Sequence, residues 1–362
     1  MMPTFIAPHH EREQRLFDKM KIALDKKLKT TQLRYLRSFS ARMTAAYRAS
    51  RRTKKACEVT PEEVEALAAS LNPYAPCSEP LWTKQVPKWL SGVYRTVNVP
   101  GPKRYALNWL ARRLLLARFV PHPGQYAVRG RGRDRACTDL AMTITRQGRR
   151  WLVLMDLRDA FGSATDLCPL PLPRNVLHLV SLINCYDRDF ELNADGLPQG
   201  APASDIALAI LVQPMLDMLP HDAEPFLYVD DFAGACSSAD AAAATSKTLK
   251  QALTTLPGGF SSKYLLVVDA ADGFNFLGYH FRLDSQGELH IRVAEHAFEC
   301  LFGKCYLRAA QGKSVEEIER FLVAWRNAYP LATLDDWELE EIRTMASEAV
   351  LTVKQEMVTM WM

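Results

Sequence analysis

Three aspartates at the ends of apolar runs are the residues best suited to chemistry. In "FLYVDDFAGA" (226–235), Asp230 and Asp231 interrupt a strand pattern that runs Phe226, Leu227, Tyr228, Val229 and resumes at Phe232 and Ala233. A hairpin alone would account for the pair, because Asp is common in type I′ turns. Asp156, in "LVLMDLRDAF", ends a second apolar run. Acids from two adjacent strand ends would meet at one point, where each carboxylate disfavours ionisation of the others. Divalent cations relieve that repulsion. Mg²⁺ takes carboxylate oxygens and keeps positions open for phosphates. Two such ions clamp the attacking and leaving oxygens of an in-line phosphoryl transfer.

The elements that must position these acids follow from periodicity and turn chemistry. Over 13–50, Leu16, Met20, Leu24 and Leu28, then Leu33, Leu36, Phe39 and Met43, recur at helical steps. "TPEEVEALAASLNP" (60–73) has a Thr cap, Pro at the first position, early Glu residues and a closing Asn-Pro, which predicts a short helix. The proline-bearing stretch 74–88 reads as a connector, "YRTVNVP" (94–100) as a strand and 103–120 as a helix. The strand that ends in Asp156 lies within 149–161, followed by a helix at 171–186 and a very apolar helix at 206–219. After the strand around Tyr228 come a Ser-capped helix (238–256), then strands in "YLLVV" and "FNFLGYHFRL". From about 295 the pattern is helical. Strands interspersed with helices place the chain in the α/β or α+β class.

A chain of 362 residues exceeds one typical core and predicts two or three subdomains. With 48% hydrophobic and 24% charged residues it has a globular composition. The longest apolar window, 206–219, is too short for a membrane span and contains Pro214 and Asp217. "MMPTFIAPHHEREQ" has no signal-peptide pattern. Eight cysteines form no CxxC pair, and the histidines form neither HExxH nor a zinc spacing, so a reducing cytoplasm is expected. The net charge of +4 conceals an asymmetry: residues 1–55 hold 15 Lys/Arg against 4 Asp/Glu, and the rest 30 against 37. A basic segment interleaved with apolar residues predicts nucleic-acid binding; the alternative is a solvated basic helix that packs on its neighbours.

Taken in order, several stretches resemble reverse transcriptases of the bacterial retron and group II intron type. "LVLMDLRDAF" is similar to polymerase motif A, "GLPQGAPAS" (196–204) to motif B and "YVDD" (228–231) to motif C. "VPKWLSGVYRTVNVP" (86–100) resembles the fingers pattern, "QYAVRGRGRDRA" (125–136) the basic segment before motif A, and "FNFLGYHF" (274–281) the primer-grip strand. "SVEEIERFLVAWRNAYP" (314–330) is more weakly similar to a helical thumb. The resemblance implies a right-hand polymerase fold. Its parts would be a basic helical N-terminal extension (1–79), fingers and palm (80–285) and a short helical thumb (286–362).

It also implies roles. Asp156, Asp230 and Asp231 would hold two Mg²⁺ ions, for which Mn²⁺ may substitute, with the backbone carbonyl of Leu157 assisting. Phe161 would be the gate that presses on sugar C2′ and favours dNTPs; the alternative is a core phenylalanine. Gln199 and Gly200 would lie under nucleotide and template. Lys88 and Arg95 would grip the triphosphate, unless they are surface charge, and Lys263 would be a proton donor to pyrophosphate. Arg129, Arg131, Arg133, Tyr228, Leu277 and Gly278 would contact nucleic acid. Three positions depart from the family pattern: Asp205 follows Ser204 where Pro is usual, Ala209 stands near the place of an Asn, and motif A has Ala160 before Phe161 where a double aromatic is common.

The implied activity is RNA-directed DNA synthesis. Partners would be an RNA template or non-coding RNA, dNTPs and the DNA product, with homo-oligomerisation open and no membrane. No endonuclease or RNase H signature follows the thumb, so a retron, CRISPR-associated or antiphage-defence role is expected. The alternatives are a non-templated or self-primed polymerase, a non-catalytic RNA-binding protein on the same scaffold, and a small-molecule nucleotidyl enzyme.

Overall fold

A computed structural model describes residues 2–88, 93–181 and 196–361. The N-terminal apolar periodicity resolves into three helices, α1 (Ala7–Ile22), α2 (Asp25–Arg37) and α3 (Phe39–Ser50). A fourth, α4 (Pro61–Ser70), starts as its sequence predicts, with the Thr60 side chain accepting from the Glu63 N–H. The expected connector is in part a strand: β1 (Leu81–Lys88) pairs antiparallel with β2 (Val93–Pro100). Its prolines did not exclude a strand because a two-stranded ribbon leaves edge positions that need no N–H donor.

Helix α5 (Pro102–Leu116) follows, then α6 (Arg133–Gln147), β3 (Trp151–Leu157) and the single-turn α7 (Ala160–Ser163). Where a helix is expected at 171–186, the chain forms a 3₁₀ segment, Arg174–Leu179; residues 182–195 lie outside the described ones. The apolar helix α8 (Ser204–Asp217) precedes the hairpin β4 (Glu224–Tyr228)–β5 (Asp231–Cys236). Helix α9 (Ala239–Thr255) is capped by Ser238, whose side chain accepts from the Ala241 N–H. Next come β6 (Ser262–Asp269), β7 (Phe274–Phe276), β8 (Tyr279–Leu283) and β9 (Leu289–Val293), and then α10 (Glu295–Ala310), α11 (Val315–Asn327) and α12 (Asp336–Trp361).

The central sheet is antiparallel, in the order β4-β5-β3-β6. The central strands β3 and β5 are apolar on successive residues because both their faces are covered, whereas edge strand β6 leaves Leu266 and Val267 exposed. Val153, Met155 and Leu157 join the core built with α5, α8 and α9. Leu152 and Leu154 point the other way, to α6 and the three-stranded sheet β7-β8-β9. Phe17, Met20, Tyr35 and Leu36 of α1 and α2 belong to the first of these cores. The basic N-terminal segment is therefore built into the body of the protein. Helices α10–α12 bury a separate apolar cluster around Leu301, Leu322 and Met345.

Candidate active site

Strand alternation and one tight turn bring the three acids together. Asp156, near the end of β3, is the direct cross-strand partner of Asp231, the first residue of β5. Like charges directly opposite on a sheet destabilise it unless something compensates. Asp230 lies in the two-residue turn between the paired Tyr228 and Asp231. Of the two turn residues only Val229 has positive φ, at 61°. That is the pattern of a type II′ turn and not of the I′ turn that would by itself account for the Asp pair, and its first position usually takes glycine. A β-branched residue held there stores strain of the kind that persists at functional sites. The turn is pinned to β3 by the Leu157 N–H, which donates to the Asp230 carbonyl at 3.1 Å.

Strand β6 completes the site with an irregularity. Asp156 pairs with Tyr264 and Leu157 with Ser262, so Lys263 between them is a β-bulge with no partner on β3. Strict alternation would put Lys263 and Tyr264 on opposite faces. The bulge re-aims the lysine, and its Nζ lies 3.1 Å from Asp156 Oδ2. Burial first, and then the neighbouring charges of Asp231, Asp156 and Asp230, push the Tyr264 phenol up to about 12.

The stretch after β3 and the one before α8 are stitched together through backbone. The Leu197 N–H donates to the Phe161 carbonyl at 2.8 Å, and a Cβ at Gly196 would lie 2.8 Å from that same oxygen. The Asn98 N–H of β2 donates to the Gln199 carbonyl at 2.8 Å. Gly200 has φ 98°, and a Cβ there would come within 2.9 Å of the Asn98 carbonyl, so only glycine fits this approach. Phe161, Gln199, Tyr228, Asp230, Asp231 and Tyr264 line one side of a cavity of about 460 Å³. Leu277, Gly278, Arg133 and His296 line the other. Leu277 and Gly278, with φ 51° and 82°, form the turn between β7 and β8, which splits the expected continuous strand into a hairpin. A second cavity, of about 480 Å³, lies beyond Phe161 and Gly200; Arg48, Trp109, Arg112 and Asp205 contribute to it. Asp205 there stands 3.8 Å from Arg112.

The other residues expected to contact nucleic acid or triphosphate have the following surroundings. Arg131 spends its Nη1 on the carbonyls of His122, Pro123 and Gln125, at 2.7–2.8 Å, which makes it a loop brace. Arg133 sits over the rings of Tyr279 and Tyr329, at 5.2 and 4.7 Å, and donates to the Ala328 carbonyl and to Asp134. It fastens α6 to the chain after α11 while one side of it lines the cleft. Arg129 is exposed. Lys88 and Arg95 lie on the β1–β2 ribbon, and their side chains are outside the described residues. Sequence reasoning missed Tyr264, Asn275 and His296 as cleft residues. Tyr264 is adjacent to the lysine already singled out, but the bulge that places both at Asp156 leaves no local sequence signal.

A donor set of three carboxylates, two of them cross-strand neighbours, suits hard divalent cations. Their oxygens are not gathered around one point, however. Among the described residues, the one trio of ligand types with donor atoms all within 4.8 Å is Asp284, Glu288 and His290. That trio is a turn cap: Asp284 accepts from the backbone N–H groups of Gln286 and Glu288 and from His290.

No protein-family model and no curated protein matches the chain. Solved structures similar to it include telomerase from Candida albicans in complex with a fragment of telomeric RNA (TM-score 0.40, 12% identity, 77% of this chain and 59% of that one). Another is the foamy viral protease–reverse transcriptase in complex with double-stranded DNA (TM-score 0.38, 12% identity, 75% of this chain and 44% of that one). The matched region thus spans less than two thirds of either neighbour. Among the described residues, no helix is long and apolar enough to cross a membrane.

Proposed function

We propose that the protein is an RNA-directed DNA polymerase that adds dNTPs to a primer by two-metal phosphoryl transfer. The observation that carries this reading is the pairing of Asp156 with Asp231 across adjacent strands, with Asp230 on the turn beside them, where Asp230 and Asp231 line a cavity together with Phe161 and Gln199. Two Mg²⁺ ions bound by these acids would polarise the attacking and leaving oxygens. The chain's own residues do the rest. The Leu157–Asp230 hydrogen bond fixes the acids relative to one another. The Phe161 ring borders the space for the sugar. Gly200, held against β2, fixes the 196–204 stretch on the ribbon, beneath the place a nucleotide and template would take. Leu277 and Gly278 line the same cleft as Asp230 and Asp231 and would lie along a primer end. Service to a partner RNA in a retron, CRISPR-associated or antiphage-defence system extends the reading by family analogy alone.

The test is primer extension on an RNA template. Asp230→Asn with Asp231→Asn should abolish dNTP incorporation while RNA binding persists. Removing two mutually repelling anions should leave metal-free thermal stability level or raised. A double variant that extends the primer at the parental rate overturns the assignment.

A further inference from the structure

The mechanism assigns Asp156 to a cation, yet in the structure its Oδ2 faces an ammonium. Lys263 reaches it only because β6 carries one extra residue between the partners of Asp156 and Leu157. The lysine is 64% exposed and the carboxylate 17%. The pair thus sits beside Asp231 and Tyr264, which line the cleft, with the ammonium on the solvent side. Such a pair forms and breaks readily, since exposed ion pairs are individually weak. Among the described residues Lys263 contributes to no apolar cluster, and its ring contact is with the neighbouring Tyr264, 6.0 Å away. A bulge that breaks a ladder to hold an exchangeable charge on a metal-ligating carboxylate calls for an explanation of its own.

We propose that Lys263 is the exchangeable counter-ion of Asp156. It neutralises that carboxylate, and so lessens its repulsion of Asp231, until a divalent cation takes its place. The first cation must displace the ammonium, so the bulge sets part of the cleft's cation affinity. The displaced ammonium is then free beside the acids, available to any polyphosphate that approaches them. This inference rests on the polymerase reading for the role of Asp156, but not on any rate of synthesis.

Mn²⁺ binding to the full-length protein without nucleotide, followed by electron paramagnetic resonance of the free ion, tests it. Lys263→Met should tighten Mn²⁺ binding about two- to fivefold, the range that an exposed ion pair supports. Lys263→Arg should stay near the parental value. In an Asp156→Asn background, Lys263→Met should change nothing, because the pair is already broken. Arg158→Met controls for the general loss of positive charge; Arg158 is exposed and is in no ion pair among the described residues. Unchanged affinity in Lys263→Met, or an equal gain in Arg158→Met, overturns the inference alone. If parental binding is also unaffected by Asp230→Asn with Asp231→Asn, the acids hold no cation, and the polymerase reading falls with it.

Discussion

Phe161 shows how one residue serves two surfaces. Its carbonyl holds Leu197, while its half-buried ring packs on the main core and borders both cavities. Phe161→Ala should therefore join the two spaces beside the acids. If the ring excludes a 2′-hydroxyl, the preference for dNTPs over rNTPs should fall about tenfold or more, since one misfit group in a pocket is worth roughly 1–3 kcal/mol. Stability should fall by less than the roughly 3–5 kcal/mol of a fully buried phenylalanine, because part of the ring faces a cavity. Competition between dNTP and rNTP in single-nucleotide extension, with a melting curve, separates the two roles. Unchanged preference with lost stability would make Phe161 a core residue only.

The β4–β5 hairpin carries two of the three acids at its turn and is braced at its open end. Asp222, just before β4, accepts from the Ser237 N–H at 2.9 Å and its hydroxyl at 3.0 Å, and Arg149 lies 3.3 Å away. The Ser237 backbone hydrogen bond, its hydroxyl and the arginine together hold the Asp222 carboxyl below its ordinary value of 3.8. A depressed folded-state value means stability that is complete above the unfolded value and is lost as pH falls through the folded one. Asp222→Ala should cost about 1 kcal/mol at pH 7. Below about pH 4 the parent loses this same contribution, so the difference between the two proteins should shrink. Urea melts at pH 7 and pH 3 measure it. A gap of equal size at both values would show that packing, and not the carboxylate, braces the hairpin.

At the scale of the whole molecule, the N-terminal helices are load-sharing partners of α5. Glu13 is fully buried, accepts from the Tyr35 hydroxyl at 2.7 Å and pairs with Arg113 at 2.8 Å. Glu13→Ala should cost about 3–5 kcal/mol, because it strands a largely buried guanidinium. Deleting residues 1–55 would strip Phe17, Met20, Tyr35 and Leu36 from the core as well, so truncation cannot isolate a role in RNA binding. Exposed charge can be tested without that damage. Lys26, Lys27 and Lys29 of α2 all face solvent. Changing the three to Gln should leave the melting temperature in place. If they contact phosphates, the slope of log affinity against log salt should flatten by about 0.7–0.9 per contact. An unmoved slope would identify the basic face as solvated surface.

The acids, the gate candidate and the glycine of the 196–204 stretch were legible in the sequence because each is a residue type tied to its own neighbours. Apolar runs ending in Asp156 and around Tyr228 gave strands, and Ser238 and Thr60 gave helix starts, since caps and alternation act over a few residues. What lay beyond the sequence depends on partners far along the chain. Strand β1 needed β2 to offset its Pro87. The turn at Val229 took its hand from the strands it joins, against the preference of the residue itself. Lys263 came to Asp156 through a bulge whose only cause is the register of β6 on β3. Arg131 and Arg133, basic and glycine-flanked, gave no sign in the sequence of the carbonyls and tyrosine rings that the fold brings to them. Charge and pattern decide what a side chain is able to bind. Only the tertiary structure decides which partner reaches it, because long-range pairing fixes register, and register fixes direction.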